Sequence, residues 1–87
     1  GGLMYYISIY QTYREVGGQE EGGWYYTAGE KHRDLKKVFT TKDELKAALT
    51  RIQPALDRDG SRYDRVLEAR VYENQFGPDE LPVPHYE

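Results

Sequence analysis

The chain has 87 residues, no cysteine, and a net charge of -3 from 12 basic and 15 acidic side chains. A chain of this length forms one small domain with a small core, and the missing cysteines exclude disulfides and thiolate metal sites. The charge balance speaks against a polybasic nucleic-acid binder and against an extreme acidic mimic of DNA. No apolar run approaches the roughly 20 residues that span a bilayer, so no membrane partner is expected. Absence of cysteine fits a reducing compartment, and the expected location is cytoplasmic. The unusual count is nine tyrosines. Tyrosine is amphipathic and enriched at interfaces, although it can also serve simply to cover a sheet.

In chain order, Gly1-Gly2-Leu3 reads as an appended leader, with Met4 as the native start. From Met4 to Val16 the pattern alternates and is rich in β-formers. Tyr5, Ile7, Ile9, Gln11 and Tyr13 share one face, which the isoleucines mark as the core side. Met4, Tyr6, Ser8, Tyr10 and Thr12 share the other. Gly17-Gly18-Gln19-Glu20-Glu21-Gly22-Gly23 then forms a glycine-rich hairpin connection. The second strand runs from Trp24 to about Arg33, with a bulge or bend expected at Gly29 and around Arg33-Asp34. Leu35 to Phe39 either continues the strand or leads into a helix.

Thr41-Lys42-Asp43-Glu44 is a capping box that starts the helix, and its acids suit the positive end of the helix dipole. Leu45, Ala48, Leu49, Ile52 and Leu56 form one apolar stripe. Pro54 is expected to end or kink the regular helix near Ile52-Gln53, with one further turn over Ala55 to Arg58 and a stop at Asp59-Gly60. Asp64 to Asn74 reads as the third strand, with Leu67, Ala69 and Val71 on the core side and Val66, Glu68, Arg70 and Tyr72 opposite. Residues 1–77 make up the domain, and 78–87 form a tail punctuated by Pro78, Pro82 and Pro84.

The predicted fold is α+β, in the order ββαβ. A three-stranded antiparallel sheet carries one helix on one face, which is half of a ferredoxin-like arrangement. The last strand is expected beside the first, because the helix crossover then makes a split β-α-β unit. One helix covers one face only. The opposite face would present Tyr6, Tyr10, Tyr72 and Arg70, with either the Trp24/Tyr26 or the Tyr25/Thr27 set of the second strand, and either the tail, a second copy in a homodimer, or a partner must cover it. Leu81 and Tyr86 make the tail itself the favoured cover.

Few residues suggest chemistry. The glycine-rich loop carries Glu20 and Glu21 where a phosphate cradle needs a lysine or a helix N-terminus. Two adjacent carboxylates point to opposite sides and form no metal-ligand set, so neither metal nor cofactor is expected. His32 and His85 are the only side chains that titrate near neutral pH, and no serine has a nucleophile context. The expectation is therefore not an enzyme. Lys31, His32, Arg33, Lys36 and Lys37 form a basic run, yet the acidic net charge and the Glu pair disfavour nucleic acid.

The stretch Gly17-Gly18-Gln19-Glu20-Glu21-Gly22-Gly23-Trp24-Tyr25-Tyr26, together with a Pro82-to-Glu87 ending, resembles a family of small bacteriophage and prophage proteins of unassigned activity. The resemblance covers most of the chain. It implies a phage context, and small phage accessory proteins often inhibit or sequester host machinery, immune systems included. The leading expectation is a non-catalytic binding protein that occupies a host protein in the host cytoplasm. Trp24, Tyr26, Tyr6 and Tyr10 would anchor it, flanked by Arg70 and Tyr72 on the open face, with Glu20 and Glu21 supplying charge complementarity. The alternatives are a sponge for a small ligand or nucleotide, as a homodimer, and a single-stranded nucleic-acid binder.

Overall fold

The computed structural model describes residues 2–16 and 25–81. Four elements follow one another: β1 (Tyr5–Val16), β2 (Tyr25–Asp34), α1 (Lys42–Arg62) and β3 (Val66–Glu73). The sheet order is β2-β1-β3, and β1 is antiparallel to both neighbours. The protein is thus an α+β domain of ββαβ order, with its last strand beside its first. Among the described residues no helix is long and apolar enough to cross a membrane.

The alternation in β1 decides which face carries the helix. Tyr5 and Ile7 pack with Phe39, Leu45 and Ala48, while Ile9 packs with Leu56 and Leu67. Removing each isoleucine side chain from water contributes about 1.5–3 kcal/mol. Phe39 is tied to the sheet by reciprocal backbone bonds with Tyr5, at 2.7 and 2.9 Å. The connection from β2 is therefore an extended lead into the helix. Thr41 is the N-cap and accepts from the Glu44 amide at 3.2 Å.

The helix does not stop where Pro54 and Gly60 suggest. It runs through both to Arg62. Burial overrides local propensity here, because Leu56 fills the second core cluster and holds the later turns on the sheet. The Gln53 side chain adds bonds to Asp57 at 2.8 Å and to the Leu67 carbonyl at 3.2 Å. Gly60 is a buried helix-interior residue whose Cα faces the Arg65 carbonyl, so any Cβ there would clash with returning backbone. The stop comes at Asp64, whose φ of 54° reverses the chain. Arg65 N donates to Gly60 O at 2.7 Å and Asp64 N to Ser61 O at 3.4 Å, the paired bonds of a Schellman motif.

The second face of the sheet is covered by the chain itself. After β3, Asn74 turns with φ 61° and residues 75–81 cross beneath β1 as a strap. The strap reaches the outer edge of β2, where Lys31 N donates to Asp79 O at 2.7 Å and Leu81 N to Gly29 O at 2.9 Å. Residues 78–81 thus lie on the sheet, while 82–87, which include the expected Tyr86 contact, fall outside the described residues.

Because α1 is held by burial and not by propensity, Pro54→Ala should strengthen it. Chemical denaturation is expected to show a gain of about 1–3 kcal/mol, since proline in a helix interior costs about 3 kcal/mol relative to alanine. An unchanged or lower stability would mean that the proline ring itself fixes the helix.

Candidate functional site

The structure gathers four of the expected site residues on the strap face. Tyr6 pairs across strands with Tyr72, Ser8 with Arg70, and Tyr10 with Glu68. These residues form a bed for the strap, which corrects the expectation of an open aromatic surface. Tyr10 is fully buried, and its hydroxyl donates to the Pro78 carbonyl at 2.7 Å. Its ring lies 6.3 Å from that of Tyr72. Tyr6 packs edge-on against Phe76 at 4.7 Å. Gly77 fits between the Tyr10 hydroxyl and the Tyr72 ring, where a Cβ has no room. Arg70 is half-exposed and pairs with Glu68 at 3.3 Å. Tyr26 lies in β2 opposite Glu15, and its side chain falls outside the described residues, as do Trp24, Glu20 and Glu21 altogether.

A buried polar relay sits beside Tyr10. A one-residue shift in the β1–β2 register makes His32 an extra residue, so that Ile9 faces Arg33 and Tyr10 faces Lys31. The bulge therefore lies between the two positions expected from sequence. It also turns Lys31 and Asp34 to the same side, and their ion pair closes at 3.2 Å. Ser8 Oγ donates to Asp34 at 2.6 Å and accepts from the Gly77 amide at 3.0 Å. Ser8 has no exposed surface, so its hydroxyl meets no substrate and the relay fastens the strap.

A different part of the surface is open. At the C-terminal end of α1 a cleft of about 280 Å³ is lined by His32, Asp59, Arg62, Tyr63, Arg65 and Leu67. A neighbouring hollow shares Asp59 and Arg62 and adds Arg58. Three structural features assemble it. The helix persists past Pro54, and the i,i+4 spacing puts Arg58 and Arg62 on one side. The turn at Asp64 swings Arg65 back, with its guanidinium 5.8 Å from the centre of the Tyr63 ring. The β2 bulge contributes His32 from the sheet. Tyr63 stays 63% exposed, available to a ligand. Such a site offers three guanidinium groups and an aromatic face against one carboxylate, a composition suited to anionic groups.

Sequence reasoning singled out only His32 of this cleft, as part of the basic run. The rest of that run does not act as a unit. Lys31 turns to the strap side, and Lys37 sits 5.4 Å from the Phe39 ring centre. The signal that was passed over is the recurrence Arg58, Arg62, Arg65, which looks like solvated charge unless the helix is known to reach Arg62. Among the described residues no group of three or more His, Cys, Asp or Glu side chains could hold a metal ion. Comparison with family models, curated proteins and solved structures returns no match.

Two outcomes follow for the strap. Gly77→Ala should cost about 1–3 kcal/mol through overpacking against Tyr10 and Tyr72, and limited proteolysis should cut first within residues 75–81. Resistance equal to the wild type would show that the strap adjusts freely. Burial, reinforced by Tyr72, raises the Tyr10 hydroxyl well above its ordinary 10.0, with the Ser8 hydrogen bond offsetting part of the rise. The folded state thus prefers the neutral phenol. Its contribution is complete below the unfolded value and is lost as pH climbs above it toward the folded value. Tyr10→Phe should cost about 0.5–1.5 kcal/mol near neutral pH. That deficit should shrink between about pH 10 and pH 12. A deficit constant across this range would show that the hydroxyl is not held in its neutral form.

Proposed function

We propose that the chain is a small, non-catalytic, phage-encoded binding protein that occupies a host protein by accepting an acidic surface of it into the basic cleft. The observation that carries this is that Arg62, Arg65 and His32 line one cleft with the exposed Tyr63, and that Arg58 lines the hollow beside it with Arg62. Arginine and tyrosine are the side chains that most often dominate interface energies. Arginine also binds carboxylates in two-pronged fashion. Asp59 within the cleft and the acidic net charge weigh toward a protein partner over a nucleic acid. The phage setting and the host cytoplasm rest on the sequence resemblance. Trp24, Glu20 and Glu21 remain in the proposal as a second contact region on sequence grounds alone. A second reading, a small anionic ligand such as a nucleotide, draws on the cleft volume of about 280 Å³. This is close to the lower end of small-molecule sites, about 300 Å³.

The test is retention from nuclease-treated bacterial lysate on the tagged chain and on its Arg62→Glu/Arg65→Glu variant. The expected result is a protein held by the wild type, released as salt rises, and lost from a variant that melts at the same temperature. Equal retention by both chains would overturn the cleft as the binding surface. Binding abolished by nuclease would move the reading to nucleic acid. Nucleotide absorbance that co-purifies with the wild type alone would move it to the ligand.

A further inference from the structure

The two outer edges of the sheet differ. The strap pairs with β2 at Glu30, but the outer edge of β3 carries no strand among the described residues. Tyr5 and Ile7 spend their backbone bonds on Phe39 and Leu35, on the β2 side of β1. The even-numbered residues of β1 therefore bond to β3, and the bond from Asn74 N to Met4 O, at 2.7 Å, is the last rung. In the β1–β3 register, Glu68, Arg70 and Tyr72 direct their backbone groups toward β1. Leu67, Ala69 and Val71 direct theirs outward. The bond from Gln53 to the Leu67 carbonyl agrees with this direction.

We propose that β3 pairs antiparallel with β3 of a second copy, about a two-fold axis at Ala69, to give a continuous six-stranded sheet. Charge complementarity chooses both the occupant and the register. With the axis at Ala69, Glu68 lies opposite Arg70 of the second copy, and Arg70 opposite its Glu68. Val66, 63% exposed in the single chain, lies opposite Tyr72 on the strap face, and Leu67 opposite Val71 on the helix face. An axis at Glu68 or at Arg70 would instead set like charges directly against each other, which is destabilising. Axes at Leu67 or Val71 keep fewer rungs within Val66–Glu73. The axis at Ala69 uses Val66 through Tyr72 and pairs outward-facing residues with outward-facing residues, as an antiparallel ladder requires. Gln53 engages the Leu67 oxygen from the helix side, and a carbonyl has two lone pairs, so that oxygen still accepts the amide of Val71 from the second copy. A two-fold contact of this kind closes on itself and leaves the β2 edges, already paired with the straps, at the outside.

The measurement is mass by light scattering during size-exclusion chromatography of the full chain, over a concentration series. The wild type is expected at twice the 10.2 kDa chain mass. Glu68→Arg and Arg70→Glu should each weaken the dimer about tenfold by facing like charges in both symmetric pairs. The double swap Glu68→Arg/Arg70→Glu should restore it. Because the chain lacks cysteine, Glu68→Cys/Arg70→Cys gives a second readout that does not depend on charge. It should be trapped as a covalent dimer under mild oxidation, whereas Glu68→Cys alone should not, since only the 68–70 pair comes within disulfide reach. A wild type that stays monomeric throughout would overturn the proposal. So would single swaps that dimerise as well as the wild type, or a double-cysteine chain that remains uncrosslinked.

Discussion

Everything in this domain depends on burying β1 from both sides at once. Ile7, Ser8, Ile9 and Tyr10 have no exposed surface, although a strand alternates its side chains between two faces. A chain with one helix can cover only one of them. The other is closed by a polar fastening, in which the Ser8 hydroxyl stands between Asp34 and the Gly77 amide while Tyr10 holds the Pro78 carbonyl. A buried hydroxyl without partners would destabilise the fold, and here both its donor and its acceptor sites are used. Among the described residues, no buried side-chain nitrogen or oxygen lacks a partner.

This arrangement decides which parts of the surface are left for binding. The tyrosines of the second face are engaged by the chain's own strap and form its socket. The open cleft lies where the chain reverses after α1 and the β2 bulge brings His32 beside the arginines of the helix end. The helix continues past its proline because Leu56 is needed in the core, and in doing so it carries Arg58 and Arg62 to the end of the sheet. The turn at Asp64 and the bulge at His32 then complete a basic cleft, whose arginines recur within residues 58–65 but share one side only because the helix reaches Arg62.

The bulge plays a part in both regions. One extra residue in β2 exposes His32 toward the cleft and, through the same change of pleat, brings Lys31 to Asp34 beneath the strap. Fastening one face and shaping the other are thus linked through the backbone. That the outer edge of β3 carries no strand among the described residues follows from the same economy of elements. With three strands among the described residues and a strap that reaches one side, the sheet ends in β3, where Leu67, Ala69 and Val71 turn their backbone groups outward and the side chains of Glu68 and Arg70 between them carry opposite charges.

The sequence by itself determined the local elements. Alternation marked β1 and β3, the β-prone Tyr25-Tyr26-Thr27 run marked β2, Thr41 with Glu44 marked the start of the helix, and the apolar stripe of Leu45 to Leu56 implied helix on sheet. The placement of β3 beside β1 followed from connection rules. These features were legible because their causes are short-range: pleat period, helical period and cap chemistry. The helix end, the position of the bulge, the strap and the cleft were decided only by tertiary structure. Pro54 and Gly60 read locally as stops, yet burial of Leu56 and the approach of the Arg65 carbonyl made one tolerable and the other necessary. Ser8 and Gly77 are 69 positions apart, and Arg65 meets Gly60 only after the chain reverses. Such pairings depend on which surfaces remain uncovered once the elements pack, and a pattern read along the chain does not contain that information.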